Sequence, residues 1–520
     1  MSQSTLKPRR LIRGEITYSH AEKQDANILH ELRYRDQRIQ FFTFLYRNRS
    51  LIEKIVAHHL GLPESTCHVT DVENWIDGSF NVTIRVDIDG PRHPAVIRFP
   101  LPYKVGESSH PGNADEKIRC ETGTYAWLQE NCPEVPIPRL YGYGLSNGQT
   151  FTLLDNLWLP IRAIHSLRRR FLRLFGYPVP SVYVQHRLEA AASLKIGYIL
   201  IEYVDPSRGK MLSDTWQERR HDFDLRRNLF HGLSRIMIAL TRIPLPRIGS
   251  FILDDKGYLK LSNRPLTFQL QLLENEYIPV DIKRDATHST VGSYIDDIIS
   301  LHENRFRHQP NAVRDLQDGF YQACALMLMR SVWSCFFRRD LNRGPFFLTL
   351  TDLHTSNIFV DDDWNISCII DLEWACSRPV EMIQPPSWLS GQPVDMIELH
   401  EYEKLHEEYM NALEQEEEKA NSALPRPFQL HPIVRHGWER GTFWCSLALN
   451  TPAALFKIFY DHIQPRFSKS HIHEESFWLI TMRYWAPGSI NFIEQKVKEK
   501  ETYDMNLRAA FEEHSDLIMS

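Results

Sequence analysis

Long apolar runs are missing from this chain, and so is any large excess of one charge. The most apolar stretch, Phe443 to Tyr460, is broken by Asn450, Pro452 and Lys457, short of the ~18 uninterrupted apolar residues a membrane-spanning helix needs. No membrane span is expected. Sixty basic side chains stand against 66 acidic ones, a formal charge of −6, so the basic surplus of a nucleic-acid binder is absent. Cysteine is sparse: eight are scattered through 520 residues with no Cys-x-x-Cys pair, which argues against a disulfide framework or zinc module and suits a reducing compartment. Met-Ser-Gln-Ser and the basic Lys7, Arg9 and Arg10 are not followed by an apolar run, so no secretory signal is visible and a cytoplasmic protein is expected. What is present is ordinary for a globular protein, 42% hydrophobic and 24% charged, at a length that allows two to four domains or one large bilobal unit.

Residues 1 to about 25 are polar and read as a frayed leader. Asn27 to Leu62 then carries Leu32, Phe42, Leu45, Ile52, Ile55 and Val56 among charges, the pattern of one or two amphipathic helices. From Ser79 the period changes to two: Val82, Ile84, Val86 and Ile88 alternate with polar residues, Asp89-Gly90 offers a turn, and Ala95 to Phe99 follows, predicting a β-hairpin. Asp115 to Glu130 predicts a helix and Gly197 to Val204 a buried strand. Between them, Ile164, Leu167, Phe171 and Leu174 share one helix face among Arg168, Arg169, Arg170 and Arg173. Such a helix can lie on a membrane or hold a partner; the simplest expectation is that it packs on the protein's own surface. The later sequence is mostly helical, and Glu414, Glu416, Glu417 and Glu418 suggest a solvated helix or linker.

The chemistry concentrates in Leu348-Thr-Leu-Thr-Asp352-Leu-His-Thr-Ser-Asn357 and the two β-runs that follow, Ile358 to Val360 and Ile366 to Ile370, ending at Asp371-Leu-Glu-Trp374. The runs are joined by turn-forming residues and should pair antiparallel. Asn357, entering the first strand, and Asp371, leaving the second, then fall at the same open end. An amide and a carboxylate placed so can hold Mg²⁺, which takes few protein oxygens and completes its octahedron with water and substrate phosphates. Asp352, on the loop feeding the hairpin, is placed to face a substrate hydroxyl. Phosphoryl transfer needs this set: one carboxylate to orient the attacking hydroxyl and metal to neutralise the phosphates.

From about Trp75 to Asp395 the sequence resembles the protein-kinase-like fold, and specifically the aminoglycoside phosphotransferase family in the form common among fungal proteins. The resemblance rests on Asp352-x-x-x-x-Asn357 followed by Ile369-Ile370-Asp371-x-Glu373-Trp374. It implies an α+β, bilobal fold with a β-rich N-lobe and a mainly helical C-lobe, ATP and Mg²⁺ as cofactors, and a small-molecule hydroxyl acceptor. It also implies that Asp352 is the catalytic carboxylate and that Asn357 and Asp371 are the metal ligands. Leu350 stands where the family's loop usually has His. The division expected is a leader with helices over 1–64, an N-lobe over 65–204 with a basic helical insertion at 157–196, a C-lobe over 205–425, and a helical extension over 426–520.

The upper lobe carries its own signals. Ile118, Glu121, Tyr125 and Leu128 share one helix face, so Glu121 sits among packing residues and needs a cationic partner. Arg98, inside the apolar run Val96-Ile97-Arg98-Phe99, supplies it. Protein kinases use a Lys in the equivalent pair to reach the ATP phosphates; Arg differs in reach and hydration. Gly78, Ser79 and Asn81 would form the loop over the phosphates, although a single glycine equally makes an ordinary turn. Ile199 to Val204 resembles the kinase hinge, where backbone groups of Glu202 and Val204 would bind adenine. Glu373 can touch metal or a cationic substrate, or form a salt bridge within the lower lobe. His354 stabilises its turn or approaches substrate. His471-Ile472-His473 lacks a third ligand. Trp438, Phe443, Trp444, Phe459 and Tyr460 read as helix core, with lining of an acceptor pocket as the alternative. Transfer of the γ-phosphoryl group of ATP to a small-molecule hydroxyl is therefore expected. A non-catalytic nucleotide- or partner-binding pseudokinase is the alternative, and a protein kinase is disfavoured because no Asp-Phe-Gly or Ala-Pro-Glu segment follows.

Overall fold

Alternation decides the upper half of the molecule. Val82, Ile84 and Val86 are fully buried while Arg85 between them is exposed, so strand Asn81–Ile88 turns one face to a core. The computed structural model describes residues 6–91, 93–421, 428–451, 454–471 and 474–512. Met1 to Ser4, Pro452, His473 and the expected boundary at 425/426 lie outside these. An antiparallel sheet is built from β1 (Cys67–Val69), β2 (Asn81–Ile88), β3 (Ala95–Pro100), β4 (Leu140–Gly144), β5 (Gln149–Leu153), β6 (Tyr183–Arg187) and β7 (Tyr198–Glu202). Their order is β1-β2-β3-β7-β4-β5-β6, with the short strand Ile76–Asp77 also paired to β2. β2 and β3 form the expected hairpin, with Val86 opposite Ala95 and Thr83 opposite Arg98.

Helices cover both faces of this sheet. Ile52, Ile55 and Val56 of α1 (Arg49–Leu60) pack with Ile84, Ile97 and Leu200. On the opposite face, Ile118 and Tyr125 of α2 (Asn113–Asn131) pack with Val96 and Ile199. Because Arg98 shares its face with Val96, it points toward α2. Gly123 lets α2 approach the hairpin β8 (Ser250–Leu253) and β9 (Leu259–Asn263): a Cβ there would lie 2.3 Å from the Phe251 carbonyl oxygen.

The lower half is mainly helical. α4 (Phe223–Leu240) buries Leu229, Leu233, Ile236 and Leu240, and its N-terminus is capped by the Asp222 carboxylate. It packs on α7 (Leu399–Asn421), with Arg226 gripping Glu408 through two bonds of 3.0 and 2.9 Å. α3 (Leu159–Leu174) precedes them in sequence, in the upper half, while α5 (Val291–His308) and α6 (Leu316–Val332) lie between them in the lower. Strands β10 (Phe346–Thr349) and β13 (Cys376–Pro379) pair around the hairpin β11 (Ile358–Val360) and β12 (Ile366–Ile369). The molecule is thus the expected α+β, bilobal arrangement, β-rich above and helical below.

Three expectations change. From residue 6 the leader is not frayed: Ile16, Ala21 and Ile28 cover the Tyr503, Leu507 and Phe511 stripe of α8 (Ser489–Glu512), and the Lys7 N–H donates to the Phe511 carbonyl at 3.4 Å. The acidic run is not wholly solvated. Glu416 is buried against His231 at 2.8 Å, and Glu417 accepts from the backbone N–H groups of Leu430 and His431, so these carboxylates staple α7 to its neighbours. Finally, α3 does not pack on the body through its apolar face, since none of its residues is buried.

Candidate active site

The hairpin β11–β12 brings its two ends together as the strand pattern requires. The Ile370 N–H donates to the Asn357 carbonyl at 3.0 Å, fixing Asn357 and Asp371 at the same mouth. Asp371 adopts φ = 63°, a left-handed conformation that Asp tolerates better than most residues. On the preceding loop, the Asn357 amide donates to the Asp352 carbonyl at 2.9 Å and to its carboxylate at 3.3 Å. Asp352 is exposed at the mouth; partial desolvation of its carboxyl there, reinforced by the Asp371 charge and opposed by the Asn357 amide, raises it to about 6. At neutral pH it is therefore an anion with appreciable basicity, suited to accepting a hydroxyl proton.

Arg98 joins the lobes here. It donates to Glu121 at 2.7 Å, to Asp371 at 2.5 Å and to Glu373 at 3.4 Å. The expected Arg98–Glu121 pair is thus present as one limb of a larger network. Lys117, one turn before Glu121 on the buried face, contacts Glu373 at 2.5 Å and donates to the Asn81 side-chain oxygen at 2.7 Å. Asn81 in turn donates to Glu373 at 2.6 Å. Three carboxylates, Glu121, Asp371 and Glu373, thereby face two cations, leaving one negative charge in excess when all are ionised. Burial, then the Asp371 charge, outweighs Lys117 and Arg98 and pushes Glu373 up to about 8. Burial also raises Asp371, but Arg98 and Lys117 prevail and hold it below the usual carboxylate range. Glu373 makes its salt bridges across the lobe boundary to Arg98 and Lys117, so the expected bridge within the lower lobe is corrected.

The remaining expected residues are distributed as follows. The Gly78 N–H donates to the Asn81 carbonyl at 2.9 Å, closing a tight turn. Ser79 is exposed at its tip, whereas Phe80 is buried edge-on to Trp374 at 5.0 Å. Asn81 has both ends of its amide engaged, so its side chain ties this turn to the ion network. In the expected hinge, the Glu202 N–H donates to the Arg139 carbonyl at 2.8 Å and the Glu202 carboxylate pairs with Arg208 at 3.2 Å. Val204 lies just beyond the end of β7. His354 is exposed in its turn, its N–H donating to the Asp352 carbonyl at 2.8 Å. Lys117 was missed by sequence reasoning; its signal is the i, i+4 spacing to Glu121 on a helix face otherwise given to packing.

Beside Asp352 opens a cavity of about 290 Å³, lined by Met237, Leu350, Met382, Trp388, Tyr409 and Phe443 among others. Leu350, at the position where His was expected, is half-buried and packs on the main core while forming part of this wall. Phe443 likewise serves both core and cavity wall, whereas Trp444, Phe459 and Tyr460 are core alone. Arg378 reaches the same cavity, buried, and makes no ion pair among the described residues.

Oxygen donors from Asn357 and Asp371 match the hard-cation chemistry of Mg²⁺. Arg98 engages the Asp371 Oδ1 at 2.5 Å, so a metal there would share this carboxylate with the guanidinium. No group of three or more His, Cys, Asp or Glu residues with metal-holding geometry occurs among the described residues, so any magnesium here would rely on few protein ligands and on substrate phosphates.

No family model matches the sequence, and no curated protein matches it. Among solved structures, an ethanolamine kinase from Plasmodium vivax aligns over 84% of this chain and 82% of its own, at 12% identity and a TM-score of 0.36. A spectinomycin phosphotransferase, solved with ADP and spectinomycin, aligns over 75% of this chain and 92% of its own, at 10% identity and a TM-score of 0.30. Superpositions this loose decide nothing; the lobe arrangement stands on the strand order and interlobe contacts themselves.

Proposed function

We propose that this chain is a cytoplasmic phosphotransferase that moves the γ-phosphoryl group of ATP, with Mg²⁺, to a hydroxyl of a small molecule, in the manner of the aminoglycoside phosphotransferase-like proteins of fungi. The observation that carries the reading is the convergence of Asp352, Asn357 and Asp371 at one mouth, with Asp352 also opening onto the cavity. In this reading Asn357 and Asp371 hold the magnesium, which neutralises charge on the phosphates when bound. Arg98, fixed by Glu121, would approach the phosphates; the Gly78 to Asn81 turn would lie over them, and the Glu202 to Val204 segment would receive the base. Asp352 would accept the acceptor's hydroxyl proton as its oxygen attacks the γ-phosphorus, the bond to the β,γ-bridging oxygen breaks and ADP leaves. The apolar walls around Met237, Tyr409 and Phe443 suit an acceptor with an apolar body better than a polycationic one.

A second reading, nucleotide or partner binding without turnover, draws on one observation: Arg98 lies on the Asp371 carboxylate that metal would need. Thermal stabilisation by ATP, with and without Mg²⁺, separates these possibilities from a chain that binds no nucleotide. A metal-dependent shift that Asp371→Asn removes supports the site. Turnover with an apolar alcohol, lost in Asp352→Asn, then supports transfer; metal-dependent binding with no turnover across broad hydroxyl acceptors favours the pseudokinase.

A further inference from the structure

Helix α3 is mounted the wrong way round for a helix of a soluble domain. At 3.6 residues per turn, Ile164, Leu167, Phe171 and Leu174 form one stripe, and a surface helix ordinarily turns such a stripe to the core. Here it faces solvent: Ile164 is 67% exposed, Leu167 70%, Phe171 56% and Leu174 80%. The body is held by the other side. Arg162 pairs with Asp155 at 3.1 Å, Arg169 with Glu130 at 3.4 Å, and His165 and Ser166 are half-buried. A contiguous apolar face held outward by polar contacts marks an interaction surface.

Charge identifies the partner. No Asp or Glu occurs between Asp155 and Glu189 in a chain that is acidic as a whole. Arg168, Arg170 and Arg173 make no ion pair among the described residues and are exposed. Arg168 and Arg170 flank the apolar stripe, where a guanidinium can snorkel to a headgroup while the stripe enters the acyl region. Aromatic side chains stand at both ends, Trp158 before the helix and Phe175 and Tyr177 after it, all exposed, in the manner of residues that settle at a membrane–water interface.

We propose that α3 is an in-plane membrane anchor for surfaces rich in anionic lipid, its apolar stripe among the acyl chains and its flanking arginines on the phosphates. A second copy of the chain fits less well. Two stripes packed face to face would bring both sets of flanking arginines together with no carboxylate in either segment to meet them. At 16 residues and with five arginines the helix rests on a bilayer without crossing it.

The test uses the full-length protein and sedimentation with vesicles of phosphatidylcholine alone or with about one-third phosphatidylserine. Binding is expected to the anionic vesicles only, weakened by salt, and reduced about tenfold or more in Leu167→Ser/Phe171→Ser and in Arg168→Glu/Arg170→Glu. All four side chains are exposed, so both variants should melt at the wild-type temperature, which is measured alongside. Absence of vesicle binding, equal binding to both vesicle types, or binding unchanged in folded variants overturns the proposal. Self-association abolished by Leu167→Ser/Phe171→Ser, without vesicle binding, likewise overturns it and assigns the face to a second copy. None of these readouts depends on nucleotide or turnover.

Discussion

Arg98 donates to Asp371 across the lobe boundary at 2.5 Å while a second guanidinium nitrogen holds Glu121 at 2.7 Å. One side chain thus fixes the spacing between the strand, the helix and the hairpin mouth. Arg98→Ala would leave Glu121 and Glu373 buried with only Lys117 to balance them, and should cost about 3–5 kcal/mol in denaturant unfolding. Arg98→Lys keeps a charge but loses the fork that reaches three carboxylates. It should destabilise less and free Asp371, raising the affinity for Mg²⁺-nucleotide in titration calorimetry.

Asp352 and Asp371 should separate by readout. Asp352→Asn is expected to leave nucleotide binding intact and lower turnover by about 10²–10⁴-fold. Asp371→Asn should abolish the metal-dependent part of binding. In the wild type, turnover should fall as pH drops through about 6, where the Asp352 carboxyl takes up a proton. A rate that is flat from pH 8 to 5, by contrast, would remove Asp352 from the role of base.

Acid should loosen the fold through histidines held neutral. Burial, helped by neighbouring cations, lowers His30 and His406 to about 4, and burial lowers His302 to about 4 despite its bond to the Leu449 carbonyl. His59, bonded to Thr152 at 2.7 Å and to Tyr198 at 2.8 Å, is lowered well below its ordinary value by burial and by His58 and His186. The unfolded chain titrates near 6.5 and binds protons that the folded state refuses, so stability is full above that pH and falls as pH drops toward 4. A single histidine displaced to about 4 contributes up to roughly 3 kcal/mol of this loss. Between pH 6.5 and 4, His302→Gln should lose less of its melting temperature than the wild type, a comparison that isolates the histidine from carboxyls such as Glu373 that titrate in the opposite sense.

Gly123→Ala tests whether α2 can move. Its Cβ would meet the Phe251 backbone at 2.3 Å, so the helix must shift or β8 must yield, at about 1–3 kcal/mol. Since α2 carries both Lys117 and Glu121, nucleotide binding should weaken more than in a surface variant of equal stability loss. Binding that tracks stability alone would show that α2's position is immaterial to the site.

Much of the framework was legible because it is written in local periodicity. Val82, Ile84 and Val86 reveal β2, and Ile118, Tyr125 and Leu128 reveal α2, whatever surrounds them. The hairpin mouth was legible for the same reason, since two short strands and a turn determine where Asn357 and Asp371 lie. The outcome for Glu373 and Asn81 was not, because their partner Lys117 is on another element and looks like any helical lysine until the lobes close. Orientation was equally hidden at α3. Its sequence shows an apolar stripe, but only the contacts of Arg162 and Arg169 reveal which side faces the body. Likewise, polarity alone made residues 6–25 look loose, and their cover, the Tyr503 to Phe511 stripe, lies nearly the whole chain away.

That last contact sets a timetable. The segment around Ile16, Ala21 and Ile28 has its apolar partners on α8, so during synthesis it waits, uncovered, until residues near 511 have emerged. At roughly 5–20 residues per second the delay is on the order of half a minute or more. This segment, made well before its cover, is among the last to find its place, and a nascent chain stalled before α8 would display it to whatever chaperone or protease is near.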